Sequence, residues 1–299
     1  MIGGAGFIGS HLVDRLLAEQ HTVDVVDDLS TGTLANLSAA RAAGGDLKIH
    51  HLDVCADEFP SLVAMRTPDV IFHLGWLVPG RSDPAALARA VHGMLNVVES
   101  SRLLGSAKIV VAASASSVYG DVPVREQPVK EGRPPGMSGP VGVISHAVLE
   151  LLAAYRREHD VEFTALAMSS VYGPRQRRDG GVVAAFADSL HRREAPVIRG
   201  DGRQTRDFLF IDDAVDACVR AGTRGGGLII NIGTGTATSV RDLWALLAGP
   251  DSSAPRHEPT PSGDVARLAL SPTRARIQLS WAPWTSLDVG LRSVGRPPG

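Results

Sequence analysis

The segment GGAGFIG, which begins at residue 3, constrains the fold of this chain more than any other feature. A helical pattern follows it at 10–19, then an apolar strand at 22–26 that leads into Asp27. Glycines in such a turn let the backbone approach a pyrophosphate, and the N-terminus of the following helix favours an anion. A carboxylate after the next strand can accept hydrogen bonds from a ribose. The pattern predicts a dinucleotide site formed by Gly3, Gly6, Phe7, Ile8, Gly9 and Asp27.

Strand-like segments alternate with helical patterns through the first half of the chain. The sequence predicts strands at 22–26, 47–52, 70–73, 108–113 and 163–168, and helices at 10–19, 84–104 and 145–157. This alternation is typical of a parallel sheet covered on both faces. Only Met1 and Ile2 precede the glycine turn, so either the first strand is unusually short or the true start lies upstream. We expect an α/β fold with a Rossmann-type, doubly wound parallel sheet.

The composition argues against several classes of partner. The chain has 299 residues, a net charge of −2 and 21% charged residues, so its charge gives no reason to expect nucleic acid or an anionic membrane. No apolar run approaches the roughly 20 residues of a membrane span. Two cysteines, Cys55 and Cys218, are too few for a disulfide scaffold and fit a reducing cytoplasm. We expect a cytoplasmic protein whose partner is a small-molecule substrate.

A set of segments, in this order, resembles the extended short-chain dehydrogenase/reductase family, which includes NAD-dependent sugar-nucleotide epimerases and dehydratases. The segments are GGAGFIGSH at 3–11, VDDLSTG at 26–32, HLGW at 73–76, SSVYG at 116–120, SSVYGPRQ at 169–176, GDGRQTRDFLFIDD at 200–213 and NIGTG at 231–235. Together they span nearly the whole chain. Such an ordered set is much more specific than the glycine turn alone.

The resemblance carries several expectations. It implies a dinucleotide-binding domain at 1–168, rejoined by segments near 207–236, and a smaller C-terminal, mainly substrate-binding domain at 169–299. The cofactor would be NAD(H) or NADP(H), and Asp27 favours NAD because a carboxylate repels a 2′-phosphate. Asp53 and Val54 would lie at the adenine, and Leu74 and Gly75 beside the cofactor. Family members often pair through two helices, which implies a homodimer.

The sequence departs from this family at the positions that carry its chemistry. The family uses a Tyr and a Lys four residues apart on one helix, where the Tyr exchanges a proton with the substrate. Aligned from Glu150, those positions fall on Gly142 and His146; aligned from Pro140, they fall on Val141 and Ser145. The helper Ser/Thr and Asn positions hold Ala115 and Ala90, so all four catalytic positions are expected to be replaced.

Sugar-nucleotide recognition is expected to be weaker as well. Ser170 stands where the family has Asn, and Pro261 stands where it has an Arg. Arg206 is retained and could bind a diphosphate, or it could pair with Asp207, Asp212 or Asp213.

The remaining candidate groups each have a structural alternative. His146 could bind the nicotinamide ribose or relay a proton, or it could simply pack within its helix. The hydroxyls of Ser114, Ser116 and Ser117 could donate hydrogen bonds to a substrate, or they could cap the local backbone. Trp76 could stack on a flat substrate or fill the core. No metal site is expected, because the side chains of His50, His51, Asp53 and Cys55 diverge along a strand and its end.

These departures favour ketone reduction over epimerisation. Reduction needs orientation for hydride transfer but no base that takes a hydroxyl proton. The pattern resembles the atypical ketoreductases of aromatic polyketide tailoring, which implies an NAD(P)H-dependent ketoreductase acting on an angucyclinone-like ketone in antibiotic biosynthesis. Two alternatives remain: a sugar-nucleotide epimerase/dehydratase-like enzyme with relocated catalytic groups, and a non-catalytic NAD(P)-binding sensor.

Overall fold

The structure is a computed structural model that describes all residues except 77–81, 135, 137–138, 249–252, 261–264 and 295–299. In its first half, the elements are α1 Phe7–Ala18, β1 Val23–Asp27, α2 Ser38–Ala42, β2 Leu47–His51, α3 Glu58–Arg66, β3 Val70–His73, α4 Pro84–Leu104, β4 Lys108–Ser114, α5 Ala115–Tyr119, α6 Gly139–His159 and β5 Phe163–Met168. Short 3₁₀ turns lie at Leu34–Leu37 and Val124–Glu126.

The second half has mostly two- and three-residue strands and five further helices in its described residues. They are β6 Ser170–Tyr172, α7 Val182–Arg192, β7 Val197–Arg199, β8 Thr205–Arg206, β9 Phe208–Phe210, α8 Ile211–Ala221, β10 Leu228–Ile232, β11 Thr238–Ser239, α9 Val240–Ala248, β12 Arg256–Glu258, β13 Arg267–Leu268, α10 Thr273–Leu279 and α11 Leu287–Val294. No helix among the described residues is long and apolar enough to cross a membrane.

One parallel sheet organises the chain, with the order β2-β1-Ile2-β3-β4-β5-β10. Ile2 bridges both Val26 and His73, so the two residues before the glycine turn fill the place of the central strand. Its backbone N–H donates to the Phe72 carbonyl at 2.8 Å, and its carbonyl accepts from the Leu74 N–H at 3.1 Å. The predicted Rossmann-type sheet is therefore confirmed.

Helices cover both faces of this sheet. Apolar residues of α3, α4 and α6 pack on one face, around Met94, Val97 and Leu152. Residues of α1 and α8 pack on the other, around Leu12 and Ala214. Because both faces are buried, the middle of β4 reads as a continuous apolar run, as expected of a central parallel strand.

Small sheets and a third apolar cluster occupy much of the second half. β6 pairs with β9, β7 with β12, and β8 with both β11 and β13. The cluster holds Tyr172, Phe186 and Trp244. β10 pairs with β5 in the main sheet, so this part of the second half contributes to the nucleotide-binding sheet. The expected domain boundary at 168 stays a prediction.

The starts of two helices differ from the sequence expectation by several residues. α1 begins at Phe7 rather than at residue 10, because the backbone turns helical directly after Gly6. α6 begins at Gly139 rather than at residue 145, so the six residues before the predicted start are already helical. Pro140 is compatible with this start, since the first helical turn needs no proline N–H.

Candidate cofactor and substrate site

The glycine turn is packed too closely to accept larger residues. Gly3 has a φ of +78°, which favours glycine. A Cβ on Gly9 would lie 2.1 Å from the Gly3 carbonyl oxygen, and a Cβ on Gly3 would lie 3.0 Å from the Gly75 nitrogen. No side chain caps the N-terminus of α1. The helix start therefore presents backbone N–H groups next to a turn without side chains, an arrangement that fits a pyrophosphate.

Asp27 ties the glycine turn to the end of β1. Its Oδ2 accepts the Ala5 N–H at 2.8 Å, and its Oδ1 accepts the Leu29 N–H at 2.9 Å. Burial raises the pKa of this carboxyl group, although both hydrogen bonds act in the opposite direction. The carboxylate lies where a dinucleotide fold binds the adenosine ribose.

Residues after β2 and β3 border the same edge of the sheet. Asp53 accepts the Cys55 N–H at 2.9 Å, and the Val54 carbonyl accepts from the Asn96 side chain at 2.8 Å. Leu74 and Gly75 follow β3 and contact the glycine turn through the Gly3–Gly75 approach. The structure thus brings the predicted cofactor residues together at the carboxyl ends of the strands, where ligands of such sheets bind.

Arg89 was missed by the sequence reasoning. It lies on α4 and forms ion pairs with Asp28 at 3.0 Å and with Asp53 at 2.5 Å. Its partners are on separate loops, so no local spacing could have connected them.

Serine hydroxyls gather at the end of β4. Ser114 and Ser116 share a hydrogen bond of 2.9 Å, and Ser117 donates to the Ser114 carbonyl at 2.8 Å. The Ser117 hydroxyl is therefore used by the local backbone. In the other pair, Ser114 is exposed and Ser116 is partly exposed at the end of β4. Directly after the neighbouring β5, the Ser169 hydroxyl is buried without a partner among the described residues. Ser169 was not predicted and has no sequence signal beyond its place at a strand end.

Helix α6 packs beside this serine cluster through its contact with α5. Gly142 and His146 are one turn apart on α6, and His146 is half-buried. Ser145 belongs to the other sequence alignment; it is buried, and its hydroxyl donates to the Val141 carbonyl at 2.8 Å. Among the described residues, no hydrogen bond is recorded for the His146 side chain, whereas the Ser145 hydroxyl is bonded within its own helix.

All three tyrosines are bonded elsewhere. Tyr119 donates to Asn231 at 2.7 Å, Tyr172 to the Leu287 carbonyl at 3.3 Å, and Tyr155 to Glu99. Burial raises the pKa of Tyr119, and the hydrogen bond to Glu99 raises the pKa of Tyr155 to about 12. Each tyrosine therefore holds its proton near neutral pH.

Two of the three lysines lie on strands away from the serine cluster. Lys108 donates to the Arg224 carbonyl at 2.5 Å, at the opposite end of β4 from Ser114. Lys48 lies on β2, and Lys130 is exposed.

The expected stacking role of Trp76 is not supported by its position. Its side chain is buried in the core against the α4–α6 face, and its indole N–H donates to the Ala112 carbonyl at 2.7 Å. A ring that is 5% exposed leaves too little surface to stack on a substrate, so Trp76 fills the core instead.

The expected substrate residues of the second half lie next to Asp207. The Ser170 N–H donates to the Asp207 carbonyl, and Arg206 is part of the short strand β8. Asp207 accepts the Thr234, Gly235 and Leu270 N–H groups. Pro261 lies outside the described residues.

The histidines near β2 are engaged separately. The His50 Nε2 lies 2.8 Å from Asp24, and the His51 Nε2 lies 3.3 Å from the Asp28 carbonyl. Over the described ranges, no three His, Cys, Asp or Glu side chains are arranged to hold a metal ion.

The chain is similar to known proteins over almost its full length. Residues 1–233 match the model of the NAD dependent epimerase/dehydratase family. A UDP-glucose 4-epimerase of Mycolicibacterium smegmatis is 40% identical over 97% of this chain and 94% of its own length. The UDP-glucose 4-epimerase of Thermotoga maritima, solved with UDP-glucose, is 33% identical with a TM-score of 0.87, covering 98% of this chain and 96% of that one. The Thermus thermophilus UDP-glucose 4-epimerase, solved with NAD, is 29% identical, has a TM-score of 0.87 and covers the same shares.

These similarities correct the functional expectation. The prediction of a polyketide ketoreductase is wrong, because relatives that match over nearly the whole chain include UDP-glucose 4-epimerases and a UDP-glucuronic acid decarboxylase. The resemblance to the extended short-chain dehydrogenase/reductase family and the NAD cofactor are confirmed. The chain belongs to the NAD dependent epimerase/dehydratase family.

Proposed function

We propose that this protein is an NAD-dependent enzyme that acts on a UDP-sugar at its C4 position, with catalytic groups other than a tyrosine–lysine pair. The observation that carries the proposal is the similarity to UDP-glucose 4-epimerases, which extends through both halves of the chain at up to 40% identity. A similarity confined to the nucleotide-binding half would have said nothing about the substrate. Retained Arg206 supports a diphosphate-bearing substrate, since guanidinium groups pair well with phosphates.

The cofactor would be held by the residues already described. Gly3, Gly6, Phe7, Ile8 and Gly9 would hold the pyrophosphate, and Asp27 would hold the ribose. Bound NAD would supply the hydride acceptor, and this chain's residues would orient the sugar and move the hydroxyl proton. We expect the serine cluster and His146 to act at the C4 hydroxyl of the bound sugar.

The Ser114–Ser116 pair and His146 are the groups best placed to take over the proton transfer. Gly142, which is buried on α6, stands where the family resemblance implies a tyrosine, one turn before His146. A substrate hydroxyl can donate to the serine pair, and an imidazole can accept a proton and return it. With a substrate bound, the two linked hydroxyls would pass a proton between the sugar and the imidazole without requiring either serine to ionise.

A second function has its own support. Because all three tyrosines are bonded elsewhere, the chain could bind NAD and a UDP-sugar without converting them, as a sensor. The two functions differ in turnover but not in ligand.

Calorimetric titration of NAD-loaded protein with UDP-glucose, UDP-galactose, dTDP-glucose and UDP tests the substrate class. We expect UDP-sugars to bind more tightly than UDP alone, because the sugar contacts the serine cluster. Binding of UDP and UDP-sugars with equal affinity would place the sugar outside the site and overturn the proposal.

A further inference from the structure

Arg89 stands out among the charged side chains because it joins three separate elements at the adenine end of the cofactor site. It projects from α4, and its two terminal nitrogens pair with Asp28 after β1 and Asp53 after β2. Nη2 lies 3.0 Å from Asp28, and Nη1 lies 2.5 Å from Asp53. A guanidinium held by both terminal nitrogens has a fixed plane.

The guanidinium of Arg89 lies at the end of the site where the adenine of a bound dinucleotide is expected. The pyrophosphate binds at the start of α1 and the ribose at Asp27, so the adenine lies further along the strand ends, toward β2. Asp28 and Asp53 border that place. Both contacts use the edge of the guanidinium, and its side chain is 51% exposed. The faces of the planar group are therefore available to a flat ring.

Electrostatics favour a ligand role as well. Asp27, Asp28 and Asp53 bring three carboxylates to one edge of the sheet, where a dinucleotide brings two further negative charges. Hydrogen bonds from Cys55 and Arg89 lower the pKa of Asp53 despite its partial burial, so this carboxylate is charged at neutral pH. Arg89 is the cation bonded to two of the three acids, and it reduces the repulsion that a pyrophosphate would meet.

We propose that Arg89 forms one wall of the adenine pocket: Asp28 and Asp53 hold its guanidinium in place, and the adenine stacks on its face. Arginine suits this role because its delocalised planar cation stacks on aromatic rings, whereas a lysine ammonium is a strongly hydrated point charge. The wall would act on the adenosine half of the cofactor and leave the nicotinamide half unaffected.

The test compares the Arg89→Ala and Arg89→Lys variants with Arg102→Ala, which removes an exposed ion pair to Glu99 from the other end of the same helix. The dissociation constants of NAD⁺ and of nicotinamide mononucleotide, which lacks adenosine, are measured by calorimetry and by displacement. We expect NAD⁺ to bind about 2- to 30-fold more weakly to both Arg89 variants, the range of a cation–π contact. Nicotinamide mononucleotide should change by less than about twofold, and Arg102→Ala should bind both ligands normally.

Three results would overturn the proposal. If Arg89→Lys binds NAD⁺ as tightly as the unaltered protein, charge alone accounts for the effect and no stacking wall exists. If nicotinamide mononucleotide weakens by the same factor as NAD⁺, Arg89 supports the whole site rather than the adenine. Normal NAD⁺ binding by Arg89→Ala would exclude any role for this side chain in the cofactor site.

Discussion

Replacing Gly9 by alanine should destabilise the protein even without cofactor. The new Cβ would lie 2.1 Å from the Gly3 carbonyl oxygen and 2.8 Å from the Gly4 Cα, so the backbone of the turn must move by about 1 Å to reach ordinary contact. That backbone is fixed, because the Gly3 N–H donates to the Val26 carbonyl at 2.9 Å. Overpacking of this kind costs about 1–3 kcal/mol. We expect the upper part of that range.

Two other glycines provide controls for this prediction. A Cβ on Gly6 would lie 3.2 Å from the Gly3 carbonyl oxygen, a contact that a small shift relieves, and a Cβ on Gly132 would meet nothing within 4 Å. Urea unfolding of the cofactor-free proteins should therefore show a loss of about 2–3 kcal/mol for Gly9→Ala. Gly6→Ala and Gly132→Ala should each lose under about 0.5 kcal/mol. A Gly9→Ala protein as stable as these two would refute the reasoning.

Three further predictions concern side chains around the sheet. Tyr119→Phe should lower the free energy of unfolding by about 1–3 kcal/mol, because it leaves the buried Asn231 oxygen without its donor. UDP-sugar turnover should stay unchanged, and a loss of turnover would show that this tyrosine is catalytic. Asp27→Asn should weaken NAD⁺ binding by roughly tenfold in calorimetry, because an amide nitrogen cannot replace the accepting oxygen. Burial lowers the pKa of His73 to about 3, so below about pH 6.5 only the unfolded chain binds a proton at this residue. The contribution of His73 to the free energy of unfolding is therefore complete above that pH, and about 2 kcal/mol of it is lost by pH 5. His73→Phe should flatten that part of the pH–stability curve measured by denaturant titration, and an unchanged slope would contradict the shift.

The nucleotide-binding half could be predicted from the sequence because its determinants are local. The glycine spacing, the following helix and Asp27 lie within a short stretch, and the structure places them together. The strands were found because a buried parallel strand is apolar on both faces. The boundaries at Phe7 and Gly139 were missed, since a helix start depends on backbone geometry that glycine and proline leave open.

Contacts between side chains of elements that are distant in sequence could not be predicted from the sequence. Trp76 follows a strand near the cofactor, and only the packed structure shows its indole bonded to Ala112 inside the core. The two acidic partners of Arg89 lie 36 and 61 residues away from it in sequence. Both depend on tertiary packing, for which a single sequence carries no spacing signal.

The ketoreductase prediction failed for a related reason. It gave most weight to four positions, those of Gly142, His146, Ala115 and Ala90, and little to the rest of the chain. Substitutions at a few chemical positions alter how a proton moves, but substrate recognition is distributed over many residues in both halves. The relatives, which match along the whole chain, carry that distributed information.

Conversion of UDP-glucose by the NAD-loaded protein tests the central claim most directly. The reaction is followed by chromatographic separation of UDP-glucose and UDP-galactose. The proteins compared are the unaltered protein, Ser116→Ala, His146→Ala and the control Ser101→Ala. Ser101 lies near the C-terminal end of α4, where its buried hydroxyl donates to the Ala107 carbonyl. We predict interconversion that falls by about 10²-fold or more in the Ser116 and His146 variants, the scale of a lost acid–base group, and is kept by Ser101→Ala. UDP-glucose that binds but is never converted would contradict the enzymatic account and establish a sensor.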